Sequence, residues 1–262
     1  MGELILLRHG ATEWSDEGRH TGRTDVPLTP RGVAQAAALA PMITRRVADG
    51  HLVAVFTSPA RRAVRTAELA GLGTPSRDPD PGHGHGSATD DKASRDAGSH
   101  DADSRDKGTR GTGTHDTGTH DIGSRETVGT TAGPLVRQDS DLWEWDYGGY
   151  EGITTTGIQR ERPGWYLWRD GVIPGDAEHP GETVESVGER TDRVIKRAEP
   201  LLADGDVALV AHGHVLRVLT ARWLGLPPTD GRLFRLDTGT ISTLGTEHDE
   251  PVILTWNVPP DA

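Results

Sequence analysis

Two stretches of this chain end alike. Residues 5–10, Ile-Leu-Leu-Arg-His-Gly, close on Arg8-His9-Gly10, and residues 207–213, Val-Ala-Leu-Val-Ala-His-Gly, close on His212-Gly213. Each is an apolar run of strand length followed by a histidine and a permissive glycine. In open α/β sheets ligands bind beyond the carboxyl ends of the strands, so histidines at two such ends can converge on one cleft. A third apolar run, Leu52–Phe56, leads into Ser58-Pro59-Ala60 and then Arg61, Arg62 and Arg65. That places guanidinium groups on the first turns of a helix, where unpaired N–H groups already favour anions. The fourth stretch, residues 141–152, sets Glu144 and Asp146 among tryptophans and tyrosines with the adjacent glycines Gly148 and Gly149. A carboxyl group packed among aromatic rings is a candidate general acid.

Each stretch alone has a plain structural explanation. Arg8-His9-Gly10 can be a turn, the arginines a solvated helix face, Glu144 a surface acid and His212 a hydrogen-bonded core histidine. Their combination at matching strand ends favours one cleft that handles an anionic group.

The elements that must hold these residues follow from pattern and punctuation. Strands are expected at Glu3–Arg8, Leu52–Phe56, Leu135–Leu142, Asp206–Ala211, Arg232–Leu236, Ile241–Leu244 and Val252–Trp256. A helix opening on Thr29-Pro30 is interrupted at Pro41. Others run from Ser58-Pro59 to Gly71, over Thr154–Arg162, Glu182–Ala203 and His214–Leu224. Buried strands alternating with helices predict a three-layer α/β/α sandwich with a mostly parallel central sheet.

Composition divides the 262 residues unevenly. Residues 73–134 contain no Leu, Phe, Met, Trp or Tyr, and hold eleven acids, seven Lys or Arg and five of the twelve histidines. From Ser94 they repeat with a period of five. A stacked repeat needs a recurring apolar residue to fill each layer, and none recurs. The reading is a disordered low-complexity insertion within a single domain formed by residues 1–72 and 135–262. Removing Ser76–Thr131 is expected to leave turnover nearly unchanged. The His83–Gly86 tract (HGHG) and the His-Asp pairs offer at most weak metal binding, which repeat expansion explains without function. A net charge of −12 argues against nucleic-acid binding, and the lack of cysteine excludes disulfides and thiolate chemistry. No apolar run reaches membrane-spanning length, and the first residues carry an acid where a signal peptide is basic. A cytoplasmic protein, monomeric or homodimeric, is expected.

Taken together, LLRHGATEW (residues 6–14), TGRTDVPLT (21–29), SPARRAVRTAELA (58–70), LWEWDYGGYEG (142–152) and VALVAHGHVLR (207–217) resemble the motifs of the histidine phosphatase superfamily, also called phosphoglycerate-mutase-like, in family order. The resemblance covers the chain except for the insertion. Within the family it is most similar to actinobacterial acid-phosphatase-type members and to the branch containing a fungal sedoheptulose bisphosphatase. It implies a phosphoglycerate-mutase-like fold, with His9 as a nucleophile that becomes phosphohistidine. Arg8, Arg62 and His212 would hold the phosphate, and Glu144 would act as general acid and base. Ser15, Thr21, Gly22, Tyr147 and Gly213 fall where members contact substrate. No metal or other cofactor is needed for such a displacement, because the two arginines and the histidine supply the positive charge.

Phosphatase and mutase differ at three places. Mutases carry Asn where this chain has Ser15, a Lys where residues 151–159 offer only threonines, and paired arginines where Arg169 is followed by Asp170. Without those donors the phosphohistidine is expected to pass to water, making the enzyme a phosphoric monoester hydrolase for a small phosphorylated metabolite of the sugar phosphate or phosphoglycerate class. The 2,3-bisphosphoglycerate-dependent mutase is the alternative, and an inactive binder of phosphorylated ligands a second. Specificity is expected from Thr154–Pro180, with Trp165–Trp168 mainly packed against the core.

Overall fold

The computed structural model describes residues 2–76 and 134–260. The expected insertion, with its repeat and its HGHG tract, therefore lies outside the described residues except at its two edges. The strands are β1 (Leu4–Arg8), β2 (Leu52–Thr57), β3 (Leu135–Gln138), β4 (Asp206–Ala211), β5 (Ile241–Glu247) and β6 (Glu250–Val258). The helices are α1 (Glu13–Glu17), α2 (Pro30–Ala38), α3 (Ala40–Ala48), α4 (Arg61–Leu69), α5 (Thr155–Glu161), α6 (Leu167–Asp170), α7 (Val184–Ala198) and α8 (Gly213–Trp223).

The strands form one sheet in the order β3-β2-β4-β1-β5-β6. Parallel pairing joins β3, β2, β4 and β1, and β5 and β6 add on in antiparallel fashion. Every residue of β4 is buried, as an apolar run without alternation requires of a central parallel strand. Period-two geometry divides the side chains between two faces. Leu4, Leu6, Phe56 and Leu209 pack with Val187, Val194 and Ile195 of α7 and Val215 and Leu219 of α8. Ile5, Leu7, Val55 and Val210 pack with Leu39, with Ile43 of α3 and with Ala63 and Ala67 of α4. The result is the expected three-layer sandwich.

Local chemistry sets the element ends. Thr29, Thr154 and Thr183 each accept a bond from the backbone N–H three residues on, capping α2, α5 and α7. Pro41 separates α3 from α2 at Leu39. Four expectations change. The helix after β2 begins at Arg61 rather than Ser58, and the Ser58 hydroxyl accepts from the Ala60 backbone N–H just before it. The segment Leu135–Leu142 is β3 followed by a 3-10 turn over Ser140–Leu142, and Glu182–Ala203 is α7 followed by a 3-10 turn beginning at Glu199, with Pro200 at its start. Arg232–Leu236 forms no strand. Its first residues belong to a 3-10 turn, Pro228–Leu233, whose Gly231 and Arg232 carbonyls are taken by Arg217 rather than by a neighbouring strand. No helix among the described residues is long and apolar enough to cross a membrane.

Candidate active site

Parallel pairing of β1 with β4 sets Arg8 against Ala211, so His9 and His212 leave the sheet side by side. The His9 backbone N–H donates to the Ala211 carbonyl at 3.0 Å. The His9 ring Nδ1 lies 2.7 Å from its neighbour's Gly10 carbonyl. A carbonyl only accepts, so Nδ1 carries the proton and Nε2 keeps an open lone pair. Burial, with Arg62 and Arg8 adding to it, holds the His9 pKa well below the usual imidazole value. The ring is therefore neutral, with a free Nε2 lone pair.

His212 has the opposite tautomer. Arg62 Nε donates to its Nδ1 at 3.1 Å, which makes that nitrogen the acceptor, so Nε2–H donates to Ser58 Oγ at 2.7 Å. Burial first, then Arg62, His9 and Arg8, keeps His212 uncharged. Arg62 also crosses the loop after α1, donating to the Thr24 and Gly22 carbonyls at 2.9 Å each. The N–H groups of Gly22 and Thr24 donate to the Glu151 carboxylate from the other side. The loop is thus held between a cation on its carbonyls and an anion on its amides.

Arg8 donates to the Leu236 carbonyl at 2.5 Å, and its Nε is buried with no hydrogen-bond partner. An unsatisfied charged donor is costly in the resting protein, and an anion beside it would satisfy it. The Glu144 carboxylate is buried. Oε1 accepts from the N–H groups of Trp145 and Val215, and Oε2 accepts from that of His214. It thereby supplies the cap that His212, at the N-cap of α8, does not provide with its own side chain. Oε1 accepts from two donors and Oε2 from one, so Oε2 keeps the freer acceptor position.

A cavity of about 360 Å³ opens over these groups. Arg8, His9, Ser15, Thr21, Glu144 and Tyr147 line it, whereas Gly22, Arg62, His212 and Gly213 stand behind that lining. Ser15 also exchanges hydrogen bonds with Thr12 in a capping box that starts α1. Tyr147 donates or accepts at 2.6 Å with His214 Nδ1, and burial, with Glu144 and Glu151, raises its pKa well above the phenol value. Arg61 and Arg65, which the sequence placed beside Arg62, are exposed and paired with Asp25 and Glu68. Trp165, Leu167 and Trp168 are buried yet their surfaces, with exposed Tyr166, form one wall of the cavity. Five contributors were not foreseen: Ser58, Glu151, His20, His214 and Arg217. His214 was the one with a visible signal, lying directly after His212-Gly213.

The sequence model of the histidine phosphatase superfamily (branch 1) matches residues 4–80 and 124–259. The chain belongs to that superfamily. It is 31% identical over 245 residues to an acid phosphatase of Mycobacterium tuberculosis, covering 94% of this chain and 87% of the relative. It is 30% identical to the sedoheptulose 1,7-bisphosphatase of Saccharomyces cerevisiae, covering 85% of this chain and 67% of that one. A solved structure of an open reading frame product from Mycobacterium tuberculosis superimposes with a TM-score of 0.69 at 28% identity, covering 99% and 98% of the two chains.

Proposed function

We propose that this chain is a phosphatase that hydrolyses small phosphomonoesters through a phosphohistidine on His9. The observation that carries the reading is the fixed tautomer of His9, whose Nδ1–H is held by Gly10 and whose Nε2 lone pair is free in the cavity. Nε2 attacks phosphorus while Arg8 donates its unpartnered Nε–H to a phosphate oxygen. Arg62 and His212 stand behind His9, Arg62 adding positive charge and the neutral His212 adding orientation. Glu144 Oε2 gives a proton to the leaving oxygen and later takes one from the water that attacks the phosphohistidine. Relatives named as an acid phosphatase and a sedoheptulose bisphosphatase support the reaction class.

Two local facts support water rather than a second substrate as the acceptor. The Ser15 hydroxyl is engaged by Thr12, and the guanidinium of Arg169 is exposed and forked onto Asp170. Neither group is available to grip the carboxylate of a phosphoglycerate. The mutase reading remains the alternative, and other relatives bear that name.

The test uses purified protein with 3-phosphoglycerate and a trace of 2,3-bisphosphoglycerate, alongside an aryl phosphate. Inorganic phosphate and 2-phosphoglycerate are followed together, with His9→Ala as control. His9-dependent phosphate release with slow or absent isomerisation is expected. Rapid 2-phosphoglycerate formation with little free phosphate would make it a mutase, and neither product would make it a binder.

A further inference from the structure

The cavity lining contains a cation that the mechanism does not use. Three arginines line the cavity: Arg8, Arg19 and Arg217. Arg19 is paired with Glu17 at 2.5 Å. Among the described residues neither Arg8 nor Arg217 has a carboxylate at ion-pair distance, and Arg8 belongs to the phosphate site. Arg217 is half-buried, and its guanidinium lies 4.7 Å from the ring centroid of Trp168. Its Nε donates to the Gly231 carbonyl at 3.0 Å and Nη2 to that of Arg232 at 3.2 Å. Those bonds, with the stacked ring, fix the plane of the group and leave Nη1 without a protein partner.

A half-buried guanidinium facing a cavity without a counter-ion carries a desolvation cost that a bound anion would offset. Its fork suits phosphate or carboxylate oxygens. Between Arg217 and the phosphate pocket, Trp168 packs 5.4 Å from His214, and His214 bonds to Tyr147. Burial keeps both His214 and His20 uncharged, so this intervening wall is polar and neutral.

We propose that Arg217 is a specificity-determining residue that binds a second anionic group on the leaving side of the substrate. The preferred substrates of the phosphatase proposed above are then phosphomonoesters that carry another phosphate or a carboxylate beyond a neutral, hydroxyl-compatible stretch. Trp168 and the Gly231 and Arg232 carbonyls pre-organise the guanidinium, which is the condition for discrimination at low cost.

The experiment compares kcat/KM for phosphate release from fructose 1,6-bisphosphate, 3-phosphoglycerate and glucose 6-phosphate in wild type, Arg217→Gln and Arg217→Lys. Arg217→Gln is expected to lower the preference for the bisphosphate over glucose 6-phosphate at least tenfold, chiefly through KM, and Arg217→Lys to restore part of it. Loss confined to the bisphosphate assigns a second phosphate; loss shared with 3-phosphoglycerate assigns any second anion. An equal loss on all three substrates would mean that Arg217 only ties α8 to the Pro228–Leu233 turn, and unchanged ratios would also overturn the proposal. A binding measurement separates this from the proposed reaction. In the His9→Ala background, calorimetry compares fructose 1,6-bisphosphate with fructose 6-phosphate, with and without Arg217→Gln. The affinity ratio should fall toward one when Arg217 is replaced, whether or not the wild-type protein turns these compounds over, and an unchanged ratio would reject the second anion site.

Discussion

His9 and His212 meet edge to face, their ring centroids 5.0 Å apart and their planes at 63°. Yet they carry opposite tautomers, one fixed by a carbonyl and the other by an arginine. The contrast explains how two imidazoles can share one buried, cationic site. Neither needs to be charged, and only His9 presents a free ring nitrogen to the cavity.

The same burial predicts a pH signature in stability. His20 is held down to about 4 by desolvation. Between its ordinary value near 6.5 and that figure the unfolded chain binds a proton that the folded protein does not. His20 therefore subtracts no stability above pH 6.5, and its penalty grows as pH falls from 6.5 toward 4, reaching about 3 kcal/mol. His9, His212 and His214 act in the same direction. In denaturant melts, His20→Phe should gain on wild type between pH 7 and pH 4.5. A difference that stays constant with pH would show that His20 keeps its ordinary pKa.

Two glycines at the site separate geometry from stability. A Cβ on Gly213 would lie 3.1 Å from Arg8 Cζ, a side-chain atom that can shift. On Gly22 it would lie 2.6 Å from the Trp145 carbonyl oxygen, which is backbone. Gly213→Ala should therefore lower kcat/KM about tenfold by displacing Arg8, the cost of weakening one charged hydrogen bond, with the melting midpoint little changed. Gly22→Ala should lower both activity and stability, the latter by about 1–3 kcal/mol. Equal effects of the two variants on the midpoint would refute this account.

Arg190 positions Glu144 from below. It is buried, forks onto Glu182 at 2.9 and 3.1 Å, and donates to the Asp141 and Trp143 carbonyls just before Glu144. Removing one partner of a buried pair costs about 3–5 kcal/mol, so Arg190→Met should destabilise by that amount. Turnover should fall more than tenfold even where the variant is fully folded, because the segment carrying the acid loses its anchor. Folded Arg190→Met with wild-type kcat would show that Glu144 is held by the α8 amides alone.

Much of this was legible because strong local signals coincide. The apolar runs ending at His9 and His212 are uninterrupted, so their strands and their convergence could be read directly. Arg62 was legible from the run of Leu52–Phe56, although the helix bearing it starts at Arg61, after the N-cap residue Ala60, rather than at Ser58-Pro59. The segment Arg232–Leu236 misled because its Leu233, Phe234 and Leu236 look like strand residues, whereas Phe234 packs on Trp256 from a non-strand segment. Ser58, Glu151, His20 and Arg217 were invisible for one physical reason. Each acts through a residue or cavity that is distant in sequence, and no local spacing records that.

The edges of the predicted insertion also bear on function. Ser76 bonds through its backbone to Val136 and Gln138, so the chain still follows β3 at that point. Replacing residues 77–131 with a short Gly-Ser linker should preserve this pairing and leave kcat within about tenfold of wild type, the range in which a barrier changes by less than 1.4 kcal/mol. A larger drop in a folded variant would assign the tract a part in the cleft.

The adjacency of β1 and β4 has a last consequence. The strands lie next to each other although about 200 residues separate them along the chain. A break within residues 77–133 would leave His9 and Arg62 on one fragment and Glu144 and His212 on the other, with β4 lying between β1 and β2. Neither fragment alone would contain the proposed reactive centre. Under the proposed mechanism, phosphate release would return only when the two associate, so the chain could serve as a split reporter.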